Sequence, residues 1–511
     1  MTDTKWLRRA LLGGVALTVM ASSGARADEL ADLKAQLEAL QSRVNTLEQQ
    51  PAQQASNLPP GASFVTFERG SRMDFVQQDK ASDRVNQNDD AGFTIAITPT
   101  ADMPAPVAEI VVYGYVKGDV IYDTTGNFNK FSFSMPGADR FDDDDDEFVF
   151  LHANQSRFGI KSKVDTAVGQ IRSRIEMDFF AASERYDFGQ AFLGLAQQNT
   201  LRLRQAYGEW DMTPNWTLLV GQTDQLATLS IIGVTLVDNF GDAGINGGTR
   251  FAQVRLTYHD GPLTWAVAME RPEEASDTLI PGFGGFLQYD IAGGHQIFLA
   301  AGASDIDTHR PIANVLFPDD PREFIFDDDD QKLGWVAGGG VNINLADIAT
   351  FTAGAQYTQG LATRWMNQLD TTRVACSKLF DVGLDDDLPQ DCDLQDAFGV
   401  TAGLTFNVND TTSINVEGGY AQNLDAEDNV LLTVDNVFTV HGNILWQPVK
   451  QMRLGWEVMW GQENFADKLD VFDEAGDRID KVCRIFEFND DDDCADSSDA
   501  LRFQFGAWFF F

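Results

Sequence analysis

Basic residues recur at every second position along several stretches of this 511-residue chain. Arg172 and Arg174 alternate with Ile171, Ser173 and Ile175, and Arg202 and Arg204 alternate with Leu201 and Leu203. Arg157 and Lys161 are interleaved with Phe158 and Ile160, and Arg255 stands between Val254 and Leu256. A period of two sends alternate side chains to opposite faces of a strand. Each stretch therefore carries cations on one face and apolar groups on the other. Cations lining a confined passage favour anions through Coulomb attraction in a partly desolvated space. The same faces also carry Glu176 and Asp178, so an alternative is that the cations pair with these carboxylates and only brace a wall. Histidine-based catalysis has little to build on. The five histidines, His152, His259, His295, His309 and His441, stand in no H-E-x-x-H and near no G-x-S-x-G.

The elements that position these cations must be strands, and the chain end shows their kind most plainly. In 501–511, Leu501, Phe503, Phe505, Ala507, Phe509 and Phe511 share one face, while Arg502, Gln504 and Gly506 share the other. An alternating stretch of about ten residues that ends on an aromatic residue fits a tilted membrane-crossing strand. The pattern predicts sixteen strands: 109–122, 154–164, 167–179, 200–212, 215–222, 250–258, 263–270, 283–290, 295–303, 333–343, 349–357, 397–407, 412–420, 436–446, 451–461 and 500–511. Their connections alternate between short Gly/Pro/Asn/Asp turns and long loops, with both ends on the short-turn side. That rhythm belongs to an outer-membrane barrel, and a soluble sandwich has no reason to segregate loops by length. No apolar run reaches the roughly 18–20 residues a spanning helix needs.

The long loops concentrate the remaining chemistry. The loop 223–249 is unusually apolar, from Leu226 to Val237, so it is expected to fold against the wall or into the lumen. Its Asp238 and Asp242 would then face the basic row across a constriction; the alternative is a loop covering a subunit interface. The acidic runs 142–146, 327–330, 385–387 and 490–493 all fall in long loops. They admit Ca²⁺ at oxygen ligands, although no D-x-[DN]-x-[DN]-G motif occurs, or they are simply solvated. No other cofactor is expected. Cys376 and Cys392 share one long loop, and Cys483 and Cys494 share another. Local pairing within each loop is the simplest of the three connectivities. Along 200–212 the alternation weakens after Gln205, where Glu209 falls on the nominal lipid face; a subunit contact or a bulge would explain it.

Residues 1–27 read as a secretory signal: Lys5, Arg8 and Arg9 precede the apolar run Ala10 to Met20, and Ala25-Arg26-Ala27 offers a cleavage site. In 28–50 the period changes. Leu30, Leu37 and Val44 take one heptad core position, and Leu33, Leu40 and Leu47 the other, as in a short coiled coil of unspecified copy number. Residues 51–108 hold a Pro-rich linker and a segment with no assigned role. Formal net charge is −41, which makes the chain a poor candidate for nucleic-acid binding because phosphate binding relies on Lys and Arg; no nucleic-acid partner is expected.

Several motifs in order resemble the DcaP-like trimeric porins of Gram-negative outer membranes. They are the signal and coiled coil, then Gly114-Tyr-Val-Lys-Gly-Asp-Val-Ile-Tyr-Asp123 and Ser156-Arg-Phe-Gly-Ile-Lys161. Gly169-Gln-Ile-Arg-Ser-Arg-Ile-Glu-Met-Asp178, Leu201-Arg-Leu-Arg-Gln-Ala-Tyr-Gly208, Val220-Gly-Gln-Thr223 and the aromatic last strand follow. The chain differs from that family in lacking a Trp-Ser-x-Phe opening after Thr223 and in its more acidic outer loops. The resemblance implies a homotrimer with a periplasmic coiled coil, passive uptake of small anions such as dicarboxylates, and recognition of Phe511 by the barrel assembly machinery. The expected fold is all-β: a 16-stranded antiparallel transmembrane barrel over 109–511 with a short N-terminal coiled-coil helix, in contact with outer-membrane lipid. The expected function is that of a porin, not an enzyme. The alternatives are a structural or adhesive envelope barrel and, less favoured, a barrel enzyme.

Overall fold

Alternating sequence produces alternating burial in a computed structural model of the chain, but with the polar faces inside. The structure describes residues 63–70, 92–98, 108–124, 147–181, 200–229, 232–238, 242–245, 250–272, 280–307, 331–346, 348–362, 366–371, 374–376, 392–424, 426, 434–466, 469–472, 478–482 and 497–511. The signal, the coiled coil, the four acidic runs, Cys483 and Cys494 lie outside these residues.

The barrel strands are β1 (Ala108–Asp123), β2 (Phe148–His152 and Arg157–Thr166), β3 (Gly169–Ala181), β4 (Thr200–Thr213), β5 (Trp216–Asp224), β6 (Arg250–Asp260), β7 (Leu263–Glu270) and β8 (Gly282–Ile291). They continue as β9 (His295–Asp307), β10 (Gln331–Leu345), β11 (Ala349–Gln359), β12 (Asp396–Asn409), β13 (Thr412–Asn423), β14 (Val434–Val449), β15 (Met452–Phe465) and β16 (Ser497–Phe510). Each pairs antiparallel with its sequence neighbour, and β16 returns to β1 in a register running from Arg502↔Asp123 to Phe510↔Tyr115. Closure leaves the strand edges paired, as a bilayer demands of any backbone that crosses it. All sixteen expected strands are present, most of them a few residues longer than the sequence pattern indicates.

The outward residues are apolar. Val116, Val120, Ile160, Ile175, Val220, Leu299, Val416 and Val458 are exposed on the wall, while the inward Lys117, Asp119, Arg157, Arg174 and Glu176 are buried. A girdle marks the short-turn end: Trp216 packs 4.9 Å from Tyr258 and 5.4 Å from Trp265, ring centre to centre. Rings with a polar handle suit the boundary between lipid and water.

Two irregularities matter for the interior. β2 is broken at 153–156, where a turn brings Ser156 N to Ala153 O at 3.0 Å, and Asn154 bonds Phe179 through its amide side chain. In β4 the register against β3 shifts between Gln205↔Glu176 and Leu203↔Met177. Arg204 and Gln205 are consequently both turned inward and buried. This bulge reverses the parity of the rest of the strand and carries Glu209 into the lumen, which decides the question raised by its position in the sequence.

The chain divides into two units, Met1–Val65 with Ile97–Val107, and Thr66–Ala96 with Ala108–Phe511. In the larger unit, 66–69 and 93–96 belong to a short hairpin (strands Phe64–Arg69 and Phe93–Thr98) whose second strand pairs with β1. Part of the segment left without a role by the sequence thus extends the sheet beyond the last residue of the closing strand, where Phe511 N bonds Gly114 O at 3.0 Å.

Candidate functional site: a half-filled lumen with a basic wall

All seven ladder residues expected from the sequence lie on β2, β3, β4 and β6. Arg157, Lys161, Arg172, Arg174, Arg204 and Arg255 are buried, and Arg202 keeps 35% of its side chain exposed. They do not stand alone. Glu176 receives Arg174 at 2.8 Å, Arg204 at 3.0 Å and Arg157 at 3.3 Å, and Tyr113 donates its hydroxyl to the same carboxylate at 2.8 Å. Asp178 accepts Arg202 through two bonds, 3.0 and 2.7 Å, and Arg204 at 2.8 Å. Arg172 is held by Glu209 at 3.0 Å and Asp211 at 2.6 Å. Lys161 sits 4.8 Å above the Tyr113 ring. Arg255 donates to Gln253 Oε1 at 2.9 Å and to the Asp224 carbonyl at 2.8 Å.

The pairing has a physical reason. A cation taken out of bulk water is tolerated only with compensation, and an Arg keeps its charge throughout the physiological range. Around Glu176 and Asp178, however, Arg157, Arg174, Arg202 and Arg204 outnumber the carboxylates. The wall is braced and still carries an excess of positive charge.

The apolar loop after β5 folds into the lumen. Leu226, Leu229, Ile232, Val234, Val237, Ala243 and Ile245 are all buried. Its backbone is fixed to inward groups of successive strands. Leu226 N donates to Glu270 of β7 at 2.6 Å, Gly233 N to Thr352 of β11 at 3.0 Å, and Val234 N to Glu417 of β13 at 2.6 Å. Val237 N bonds Glu457 of β15, and Val237 O accepts Lys117 Nζ of β1 at 2.6 Å. The loop therefore follows the wall opposite the ladder until it meets β1.

This path relocates the loop acids. Asp238 lies 4.0 Å from Arg502 of β16. Asp242 is fully buried next to Ala243, whose amide bonds Thr439 of β14 at 2.6 Å. Asp238 is thus docked at the seam of β16 and β1, and Asp242 against β14.

A second segment also turns inward, and the sequence reading missed it inside the long loop 358–396. Leu361, Ala362, Met366 and Leu369 are buried, and the first and second loops join as a two-residue sheet: Gly244 N to Asn367 O, 3.2 Å, and Asn367 N to Gly244 O, 2.9 Å. Ala362, Met366 and Leu369 form one apolar cluster with Ala243 of the first loop and with Ala397, Ala421, Val434, Val437, Met459 and Ala500, while Leu361 packs with Ala227, Ile306 and Val336. The only local signal was the apolar pairs Leu361-Ala362 and Trp365-Met366, separated by Thr363 and Arg364. A cavity of about 620 Å³ lies at the short-turn end, bordered by Gln170, Asp211, Thr217, Thr257, His259 and Asp290.

No protein-family model matches the sequence, and no curated protein is matched by it. Among solved structures, the outer-membrane channel DcaP of Acinetobacter baumannii superposes with a TM-score of 0.57 at 18% identity, over 79% of this chain and 97% of that one. An anion-selective porin from Comamonas acidovorans gives 0.49 at 11% identity, covering 79% of this chain and all of its own, and OmpT of Vibrio cholerae gives 0.48 at 11% identity, covering 80% and 99%. The fold class is a closed sixteen-stranded antiparallel barrel like that of DcaP. Within that class, the similarity to DcaP is one of fold.

Proposed function

We propose that this chain is an outer-membrane porin through which small hydrophilic anions, dicarboxylates among them, diffuse passively. The observation that carries the reading is the excess of Arg over carboxylate around Glu176 and Asp178 on β2–β4. A guanidinium row offers paired donors to a carboxylate, which suits it to acids with two such groups. Reversal potentials of the purified protein in planar bilayers, measured across a salt gradient, test the reading. Anion preference that weakens in Arg172→Ala and Arg202→Ala supports it, and a cation-selective wild type refutes it.

The same proposal has 1–27 as an export signal, residues 28–50 as a periplasmic coiled coil joining three copies, and Phe511 as the signal read during barrel assembly. The barrel would lie in the outer membrane of a Gram-negative bacterium, with no catalytic role. One observation favours the alternative of a structural or adhesive barrel: the ion pairs of the ladder are the contacts a brace would use. A folded protein that leaves bilayers closed to small ions would decide for that alternative.

A further inference from the structure

The inner loop lies close to its wall because four inward positions beneath it are glycines. A Cβ placed on Gly340 of β10 would fall 1.8 Å from Ile232 Cδ1, and one on Gly403 of β12 would fall 2.6 Å from Val234 Cγ1. On Gly455 of β15 it would meet Val237 Cγ2 at 2.6 Å. On Gly419 of β13 it would meet the backbone of the loop itself, with the Ala243 carbonyl oxygen at 1.9 Å and carbon at 2.7 Å. All four positions face the lumen. Their outward neighbour Gly418 is in open surroundings, with nothing nearer than 3.7 Å. At inward positions, then, β2–β4 carry long cations and carboxylates, while β10, β12, β13 and β15 each place a glycine directly under the loop, between the polar side chains that hold it.

We propose that this inward glycine track sets the width of the pore and, with it, the size of solute admitted. The inference rests on the porin reading and names the residues that fix its size selection. The argument is steric. A barrel strand is held by ladders on both sides, whereas the loop is held by single hydrogen bonds, so an added methyl group moves the loop. At Gly419 the Ala243 carbonyl must retreat by about 1.5 Å to reach ordinary contact at 3.4 Å. That retreat stretches the 2.6 Å bond from Ala243 N to Thr439 beyond useful length. The loop can move only away from its wall, toward the arginines, and the passage narrows. At Gly403 the methyl group also meets Glu417 Oε2 at 2.9 Å, the atom that holds Val234 N. Removing the Val234 methyl groups returns the space.

Single-channel recordings and exclusion of neutral polymers of graded size test the proposal on the full-length protein. Gly419→Ala and Gly403→Ala are expected to lose conductance and to exclude smaller polymers than the wild type does, with barrels that resist denaturant as well as before. Gly418→Ala is expected to behave as wild type, and Val234→Ala added to Gly403→Ala to restore conductance. Unchanged conductance in Gly419→Ala, an equal loss in Gly418→Ala, or no rescue by Val234→Ala would each overturn the glycine track while leaving the porin reading intact. If Gly419→Ala does not fold, the Gly403 and Val234 pair decides. A wild type that does not conduct sinks both readings together.

Discussion

Replacing Glu176 by Gln separates a ladder that selects ions from one that only braces. The substitution keeps shape and removes one negative charge at the point where Arg157, Arg174 and Arg204 converge within 3.3 Å. A permeating ion about 6 Å away, in a partly hydrated lumen of effective dielectric about 40, would feel that change as about 1.4 kcal/mol. This is roughly tenfold in the local partition of a monovalent anion, with the opposite sign for a cation, and about 6 Å lies inside the screening length at 0.1 M salt. The permeability ratio of anion to cation should therefore rise several-fold. Reversal potentials across a tenfold salt gradient read it directly.

The same change has a structural effect. Tyr113 donates to Glu176 and accepts from Arg174, and a Gln oxygen can still accept at that place. Breaking a buried pair by removing one partner costs about 3–5 kcal/mol, part of which the retained amide offsets. Unfolding in urea should thus shift to lower concentration while the channel stays assembled. If the barrel is destabilised but selectivity stays within twofold of wild type, the ladder is a brace and the selectivity argument is wrong.

Three further outcomes follow from particular contacts. Arg502→Ala removes a fully buried two-bond pair to Asp123, 2.6 and 2.8 Å, across the seam where β16 meets β1. The loss should be about 3–5 kcal/mol, read as a lower urea midpoint; an unchanged midpoint would show that the seam does not depend on this pair. Deleting Phe511 removes both main-chain bonds to Gly114 and should lower the amount of folded barrel in the outer membrane while export continues; normal amounts would refute this. Cys376 and Cys392 are directly opposed in a short antiparallel ladder. Opposed residues have Cα atoms about 4.5–5.5 Å apart, which a disulfide can span, so non-reducing peptide maps should show them linked to each other. Free thiols at both positions would count against the linkage.

The strands and turns were legible because a lipid-facing wall imposes its period on sequence directly: every second residue must be apolar, and the reader needs no tertiary knowledge. The inward face of the ladder was legible for the same reason, Arg172 and Arg174 being opposed to Ile171 and Ile175. What broke the pattern was a bulge. One extra inward residue, Arg204 next to Gln205, reversed the parity beyond it, and only pairing with β3 reveals that. Asp238 and Asp242 are buried in the loop that folds inside the barrel. Which wall they would touch depends on Glu270, Glu417 and Glu457 catching loop amides from strands far along the chain, and sequence separation hides such contacts. The second inward loop was hidden likewise, since its apolar residues sit beside the acidic stretch that marked the whole connection as solvated.

The acids within the ladder follow from the same constraint that makes the ladder useful. A row of unpaired guanidiniums on adjacent strands would repel, and partial burial would raise the cost of each charge. Glu176, Asp178 and Glu209 relieve that repulsion, but full neutralisation would leave nothing to attract an anion. The wall stops short of it: Arg202 shares Asp178 with Arg204 and remains a third exposed, more than any other cation of the ladder. Stability and selectivity therefore separate along the ladder. Substitution at buried Arg174 or Arg204 should act first on folding, whereas Arg202→Ala should act first on the permeability ratio with little change in the urea midpoint. The reverse order would mean that the exposed guanidinium is the structural one, and that the excess charge lies elsewhere in the lumen.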